Sequence, residues 1–230
     1  MEQRRPLVIY DAEGTIYGPV AYARARCRQE GTTHLSLEEF KKQNPGGKAM
    51  LPGMLDLMEY TAIFSNNVLV SEGDPLNAGC KQLVENRHLF QNWRFDEDHV
   101  EWGRVPNNLS KAHRSVVREL LKTFEPNQVA VIGDSTSDYI MAFHFFVLMQ
   151  QEFHIPSSPP PVLFFKMLSA DEGVSDAPDG KPPVFFVRSG MQIKEKLDEF
   201  WGIKSNSKES HFSDVPTGSQ HILNNGGAEM

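Results

Sequence analysis

The chain has 230 residues and a formal net charge of -7, which is long enough for one sizeable core with a small appendage. Hydrophobic residues make up 40% of it and charged residues 23%, the balance of an ordinary globular protein. The acidic charge argues against partners such as nucleic acid or anionic membranes, which favour basic surfaces. Cys27 and Cys80 lie far apart, which argues against both a disulfide framework and a zinc site.

Targeting signals are not evident in the sequence. Near the start, only Pro6 to Tyr10 form an apolar run, shorter than the apolar part of a signal peptide. No apolar stretch reaches the length of about 18 residues that indicates a membrane-spanning helix. We therefore expect a cytoplasmic protein without a membrane partner.

The first third of the chain alternates between strand and helix patterns. PLVIY predicts a buried strand, and AYARARCRQEG predicts a helix that ends at Gly31. SLEEFKKQ predicts a second helix, because Ser36 can form a capping box with Glu39. LPGMLDLMEYTAIF predicts a third helix, SNN a turn, and VLVS a short strand.

The alternation continues to about residue 202. PLNAGCKQLVENRHLF reads as a helix, and a strand is expected around residues 99–102. SKAHRSVVRELLKTF predicts an amphipathic helix with Ser110 as its N-cap, and QVAVIGDS predicts a strong strand. A helix over SDYIMAFHFFVLMQQ, the strands VLFFKM and VFFV, and a helix over IKEKLDEFWG follow. This order predicts an α/β fold with a Rossmann-like parallel sheet and helices on both faces.

Polar residues follow three of the predicted strands. VIYDAEGT brings Asp11 and Glu13, VLVSEGD brings Ser71, and VAVIGDSTSD brings Asp134 and Asp138. Because ligands of parallel sheets bind beyond the carboxyl ends of the strands, we expect these side chains to share one site. A stability argument gives no reason for two acids, Asp11 and Glu13, at the end of a buried strand.

DAEGT, SEGD, SKAHR and GDSTSD, in this order and at these intervals, resemble the four motifs of the haloacid dehalogenase (HAD) superfamily. The resemblance covers roughly residues 6–145, and LPGMLDLMEY resembles the Pro-Gly helix that often precedes the second motif there. It implies a HAD-like fold and a Mg²⁺-dependent phosphatase that forms a phosphoaspartate intermediate. The implied partner is a phosphorylated small molecule.

The resemblance also assigns a nucleophile and a metal site. Asp11 would attack phosphorus, which splits hydrolysis into two easier steps. The side chains of Asp11 and Asp134 and the main-chain carbonyl of Glu13 would bind Mg²⁺, an ion that prefers hard oxygen ligands. Asp138 would position the metal or its waters, and it could instead merely cap the following helix.

The phosphate-binding residues implied by the resemblance come from the second and third motifs. Ser71 and Lys111 would hold the transferring phosphoryl oxygens, and main-chain N–H groups at Glu72 and Gly73 could add donors. Ser65 competes with Ser71, because Ser65 would follow a strand if TAIF were extended. The interval from Pro52 to Ser71 has room for a helix, a turn and a strand, which favours Ser71.

Glu13 departs from the pattern of the resembled phosphatases, which usually have aspartate two residues after the nucleophile. Glutamate could still donate a proton to the leaving group and activate water. Its longer arm could also misplace the carboxyl group and slow turnover. A catalytically weak or inactive relative that binds a metal or a phospholigand is therefore the first alternative, and a receiver-like phosphoacceptor module is the second.

The resemblance also suggests a domain organisation. Residues 1–16 and 51–203 would form the HAD-like core, and residues 17–50 would form a small helical cap inserted after the first motif. Residues 204–230 are polar and without periodicity, and we expect a disordered tail there. The oligomeric state stays open.

Overall fold

The computed structural model describes residues 4–71, 80–94, 112–152, 154, 161–169, 172 and 182–202. The strands in these ranges are β1 (Leu7–Tyr10), β2 (Tyr17–Pro19), β3 (Lys48–Met50), β4 (Asn66–Val70), β5 (Asn92–Arg94), β6 (Val129–Gly133), β7 (Val162–Met167) and β8 (Val184–Val187). The helices are α1 (Val20–Gln29), α2 (Leu37–Gln43), α3 (Met54–Phe64), α4 (Lys81–Glu85), α5 (Arg114–Phe124), α6 (Thr136–Gln151) and α7 (Gly190–Trp201).

Six of the strands form one parallel sheet in the order β5-β4-β1-β6-β7-β8. The central strand β1 pairs with both β4 and β6, so that Leu7 lies opposite Asn66 on one side and Val129 on the other. All four residues of β1 are buried, as expected for a parallel strand that is covered on both faces. The predicted Rossmann-like parallel sheet is confirmed.

Helices cover both faces of the sheet, as predicted. Val8 and Tyr10 point into a hydrophobic cluster that contains residues of α1, α3 and α7. Leu7 and Ile9 point into a second cluster, formed with α5 and α6. None of the helices in the described part of the chain combines the length and apolarity needed to cross a bilayer.

The segment 17–50 contains the two predicted helices between two short strands. β2 and β3 pair in antiparallel fashion, and Val20, Ala23 and Phe40 bury their side chains in the cluster that also contains α3 and α7. The predicted capping box of α2 is present: Glu39 N–H donates to Ser36 Oγ. The β2–β3 pair was not predicted, because strands of three residues carry too little periodicity.

Other boundaries differ from the sequence predictions. β4 begins at Asn66 rather than at VLVS, and the buried amide of Asn67 is accommodated because its Nδ2 donates to Met58 O (3.0 Å). The predicted helix over PLNAGCKQLVENRHLF is reduced, in its described part, to α4 and a single 3-10 turn at Arg87–Leu89. β5 was not predicted, and the strand expected at 99–102 lies outside the described residues.

Helix α5 begins later than predicted. Its N-cap is His113, whose Nδ1 accepts a hydrogen bond from Ser115 N–H at 3.3 Å. The predicted N-cap, Ser110, lies outside the described residues.

Helices α7 and α3 approach closely at their first residues, and this contact gives a stability prediction. Gly190 N–H donates to Pro52 O (3.1 Å), and a Cβ atom on Gly190 would lie 2.1 Å from the carbonyl oxygen of Gly53. We expect Gly190→Ala to lower the free energy of unfolding by about 1–3 kcal/mol, because backbone must move to admit the methyl group.

Urea unfolding followed by circular dichroism measures this effect as a lower midpoint. Met191→Ala is the matched control on the same helix, because the Met191 side chain is exposed. An unchanged midpoint for Gly190→Ala would contradict the close packing of the two helices.

Candidate functional site

Three aspartates meet at the carboxyl ends of two neighbouring strands. Asp11 follows β1 and Asp134 follows β6, while Asp138 lies in the first turn of α6. One carboxylate oxygen from each lies within 4.8 Å of the other two. Asp11 and Asp138 are buried and Asp134 is exposed, so the cluster opens to solvent on one side.

The loop after β1 folds tightly over the end of β6. Asp11 N–H continues the strand pairing by donating to Ile132 O (2.9 Å), and Ile16 N–H then folds back to Ala12 O (2.8 Å). Gly14 has a φ of +81°, and a Cβ atom there would lie 2.0 Å from an oxygen of Asp134. Glycine therefore meets two needs here, a left-handed backbone and close approach to the carboxylate.

Asp138 both caps α6 and belongs to the aspartate cluster. Its Oδ2 accepts from Ser135 Oγ (2.6 Å) and from Ser135 N–H (3.0 Å), which completes a capping box. A negative charge in the first turn also interacts favourably with the helix dipole. The capping role anticipated from the sequence is therefore present, and it fixes the carboxylate beside Asp11 and Asp134.

The donor set of the cluster suits a divalent cation. Three carboxylates within 4.8 Å of one another repel, and the repulsion grows as water is excluded. Thr15 Oγ1 approaches Asp11 Oδ2 at 3.4 Å, too long for a strong hydrogen bond. A hard cation such as Mg²⁺, which takes oxygen ligands and keeps several waters, would offset the repulsion.

The two candidate serines lie at opposite ends of strand β4. Ser71 is buried directly after β4, on the edge that carries Asp11 and Asp134. Ser65 precedes β4, and its hydroxyl donates to Thr61 O (2.7 Å) and to Asn67 Oδ1 (3.0 Å). Ser71 is thus the serine that the fold brings towards the aspartates, while Ser65 has a structural role at the end of α3.

Glu13 lies near the cluster in the chain, but its carboxylate is not one of the three that meet there. It forms an ion pair with Lys48 of β3, and its side chain is 60% exposed. A lysine 35 residues away carries no sequence signal for such a partner, so Lys48 was missed by the motif analysis. The pair joins the loop after β1 to strand β3.

Three predicted phosphate-site residues, Glu72, Gly73 and Lys111, lie outside the described residues. The neighbour of Lys111 is described: Ala112 is buried, and its carbonyl oxygen lies 2.7 Å from Nδ1 of His144 on α6. The position of Lys111 therefore stays a prediction.

Several solved structures that resemble this chain are of HAD-like hydrolases. A HAD phosphatase from Thermococcus onnurineus matches with a TM-score of 0.50 at 12% identity, over 84% of this chain and 97% of that one. A HAD-like hydrolase, SP0104 from Streptococcus pneumoniae, matches with a TM-score of 0.46 at 11% identity, over 83% of this chain and 97% of that one. A subfamily IA HAD hydrolase from Geobacter sulfurreducens matches with a TM-score of 0.46 at 14% identity, over 85% of this chain and 98% of that one.

No protein-family model matches the chain, and no curated protein matches it significantly. The structural likeness therefore rests on shape, because the identities lie far below those of evident relatives. The chain has the α/β fold of the HAD-like hydrolases, as the four motifs predicted, with an aspartate cluster at the carboxyl edge of its sheet.

The aspartate cluster predicts opposite effects of one substitution with and without a metal. Asp134→Asn removes one of three like charges, so we expect the metal-free protein to gain on the order of 1 kcal/mol in unfolding free energy. The same change should abolish the stabilisation that Mg²⁺ gives the parent protein. Asp134 is the best site for the test, because Asp138 also caps α6.

Thermal unfolding in EDTA and in excess Mg²⁺ measures both effects. Glu59→Gln, which neutralises an exposed acid on α3, is the control and should keep the Mg²⁺ response. Equal Mg²⁺ stabilisation of the parent and of Asp134→Asn would exclude this cluster as the metal site.

Proposed function

We propose that the protein is a Mg²⁺-dependent phosphatase that hydrolyses a phosphate monoester through a phosphoaspartate on Asp11. The observation that carries the proposal is the three-aspartate cluster at the carboxyl edge of a HAD-like sheet, with Ser71 on the same edge. Mg²⁺, when bound by these carboxylates, would offset their repulsion for the substrate and polarise the phosphoryl group. The substrate would be a phosphorylated small molecule.

In the first step, a carboxylate oxygen of Asp11 would form a bond to phosphorus as the bond from phosphorus to the ester oxygen breaks. Glu13 would give its proton to the departing oxygen, so that the product leaves as a neutral alcohol. Ser71 would donate a hydrogen bond to a phosphoryl oxygen where negative charge develops, and Lys111 would add a positive charge.

In the second step, Glu13, now a carboxylate, would take a proton from water. The resulting oxygen would attack phosphorus and break its bond to Asp11, which releases inorganic phosphate and restores both acids to their starting states. The segment 17–50 would act as a small cap beside these residues, since β2 starts four residues after Glu13.

The ion pair between Glu13 and Lys48 favours a second candidate function, a HAD-like protein that binds a metal or a phospholigand without turnover. A glutamate that stays paired away from the aspartates would not serve as acid or base. This alternative predicts that Mg²⁺ stabilises the parent protein without measurable phosphate release, and that Glu13→Asp, which shortens the arm, brings hydrolysis.

Removal of the nucleophile tests the proposed mechanism directly. Asp11→Asn should lower the rate of p-nitrophenyl phosphate hydrolysis in Mg²⁺ by about a thousand-fold or more, because an amide cannot form the covalent intermediate. Asp56→Asn, at an exposed aspartate on α3, is the matched control and should keep the parent rate. A parent rate for Asp11→Asn would show that another group attacks phosphorus.

The role of Glu13 predicts a dependence on the leaving group. Glu13→Gln should slow hydrolysis of an alkyl phosphate by about 10²–10⁴-fold, since an alkoxide needs a proton to leave. Formation of the phosphoenzyme from p-nitrophenyl phosphate should change less, because nitrophenolate leaves readily without one. Rapid-quench measurements on both esters give these rates, and equal losses of phosphoenzyme formation would contradict the proton-donor role.

A further inference from the structure

Arg26 is the most unusual buried residue in the described part of the chain. Its side chain, on α1, is 1% exposed. Nη2 donates to the carbonyl oxygen of Arg188, but Nε and Nη1 have no hydrogen-bond partner. In the described ranges no carboxylate forms an ion pair with Arg26, so its positive charge is buried without an anion.

A buried guanidinium without an anion strongly disfavours folding, because its hydration is lost and not replaced. A methionine or leucine at this position of α1 would fill a similar volume without the cost of burying a charge. The arrangement is therefore explained best if an anion occupies the position while the protein is at work.

A second unpartnered donor belongs to the residue after Arg188 in the chain. Ser189 directly follows Arg188, the residue whose carbonyl oxygen accepts from Arg26. Its side chain is 3% exposed, and its Oγ has no hydrogen-bond partner although Ser189 is the N-cap of α7. The structure thus leaves two guanidinium nitrogens and one hydroxyl group buried and without a hydrogen-bond partner near the end of β8.

Other basic side chains in this region already have partners. The guanidinium of Arg188 donates to the carbonyl oxygens of Ser169 (3.2 Å) and Glu172 (2.9 Å). Lys166 forms an ion pair with the carboxylate of Glu172 at 2.5 Å. Arg26 therefore differs from these two basic neighbours in having buried guanidinium nitrogens without a hydrogen-bond partner.

Arg26 lies within the span of one small molecule from the aspartate cluster. Arg188 and Ser189 follow β8 and Asp134 follows β6, at the same edge and two strand spacings apart, which is roughly 10 Å. Burial raises the pKa of the Tyr22 hydroxyl, one turn before Arg26, and the charges of Arg26 and Asp134 both act on it. The hydroxyl of Tyr22 therefore lies close enough to both groups to sense them.

We propose that Arg26 and Ser189 bind a second anionic group of the substrate, a carboxylate or a second phosphate, while its scissile phosphoryl group lies at the aspartate cluster. This assignment rests on the proposed phosphatase function. It narrows the substrate class to phosphate esters whose leaving group carries a carboxylate or a second phosphate.

Anion binding tests the assignment without turnover. In EDTA, malonate and inorganic phosphate should each be titrated into the full chain, and thermal unfolding followed. At least one of them should raise the melting temperature of the parent but not that of Arg26→Met. Arg28→Met, which replaces an exposed arginine on the same helix, is the control and should respond like the parent. Without anions, Arg26→Met should melt no lower than the parent, since it removes an unpaired charge.

The result that overturns the assignment is an equal anion response in the parent and in Arg26→Met, or no response in either. A lower melting temperature of Arg26→Met without anions would also overturn it, because Arg26 would then be a structural residue. If Arg26→Met does not fold, Ser189→Ala provides the test: its anion response should be weaker than that of the parent, and an unchanged response counts against the assignment.

Steady-state kinetics in Mg²⁺ then identifies the anion. The esters are glycerol 3-phosphate, whose leaving group is uncharged, 3-phosphoglycerate with a carboxylate, and fructose 1,6-bisphosphate with a second phosphate. Arg26→Met should raise KM about 10–100-fold for at least one of the latter two and leave glycerol 3-phosphate unchanged. Equal effects on all three would reject the second anion site alone, whereas no turnover of any ester by the parent would reject the phosphatase function alone.

Discussion

The pairing of β1 between β4 and β6 is the constraint on which the candidate site depends. Because the three strands are parallel and in register, the residues that follow them reach one edge of the sheet. The register is fixed by hydrophobic burial on both faces, since a slip by one residue would exchange the contents of the two clusters. The favourable burial of LVIY thus holds Asp11 against Asp134, a placement that their mutual repulsion opposes.

Two positions near this edge hold charged groups that are crowded or buried. At the ends of β1 and β6, one oxygen from each of three carboxylates lies within 4.8 Å of the others, and near the end of β8 a buried guanidinium has two nitrogens without a hydrogen-bond partner. A ligand of opposite charge would stabilise both arrangements. A phosphate ester with a second anion, bound with a divalent cation, would relieve both together, so ligand binding and folding would be coupled in this protein.

The sequence predicted those elements that depend on interactions between residues close in the chain. The strand β6, the capping box at Ser36 and the helix α3 each arise from residues close in sequence, and the sequence predicted each of them. The position of Ser71 followed from counting residues after Pro52. By contrast, Lys48 beside Glu13, Arg26 beside Arg188 and the strand β5 depend on contacts between distant segments, which neither periodicity nor spacing reports.

The segment 17–50 would contribute both to the proposed reaction and to the proposed recognition of a second anion. Lys48, at its end, pairs with the glutamate that would move the proton, while Arg26, on its first helix, reaches the end of β8. These contacts tie the segment to the core at two separate points, in addition to the hydrophobic cluster that it shares with α3 and α7. Such contacts would favour recognition of a substrate by charge at a fixed distance, because they would hold the two proposed anion-binding positions at one separation.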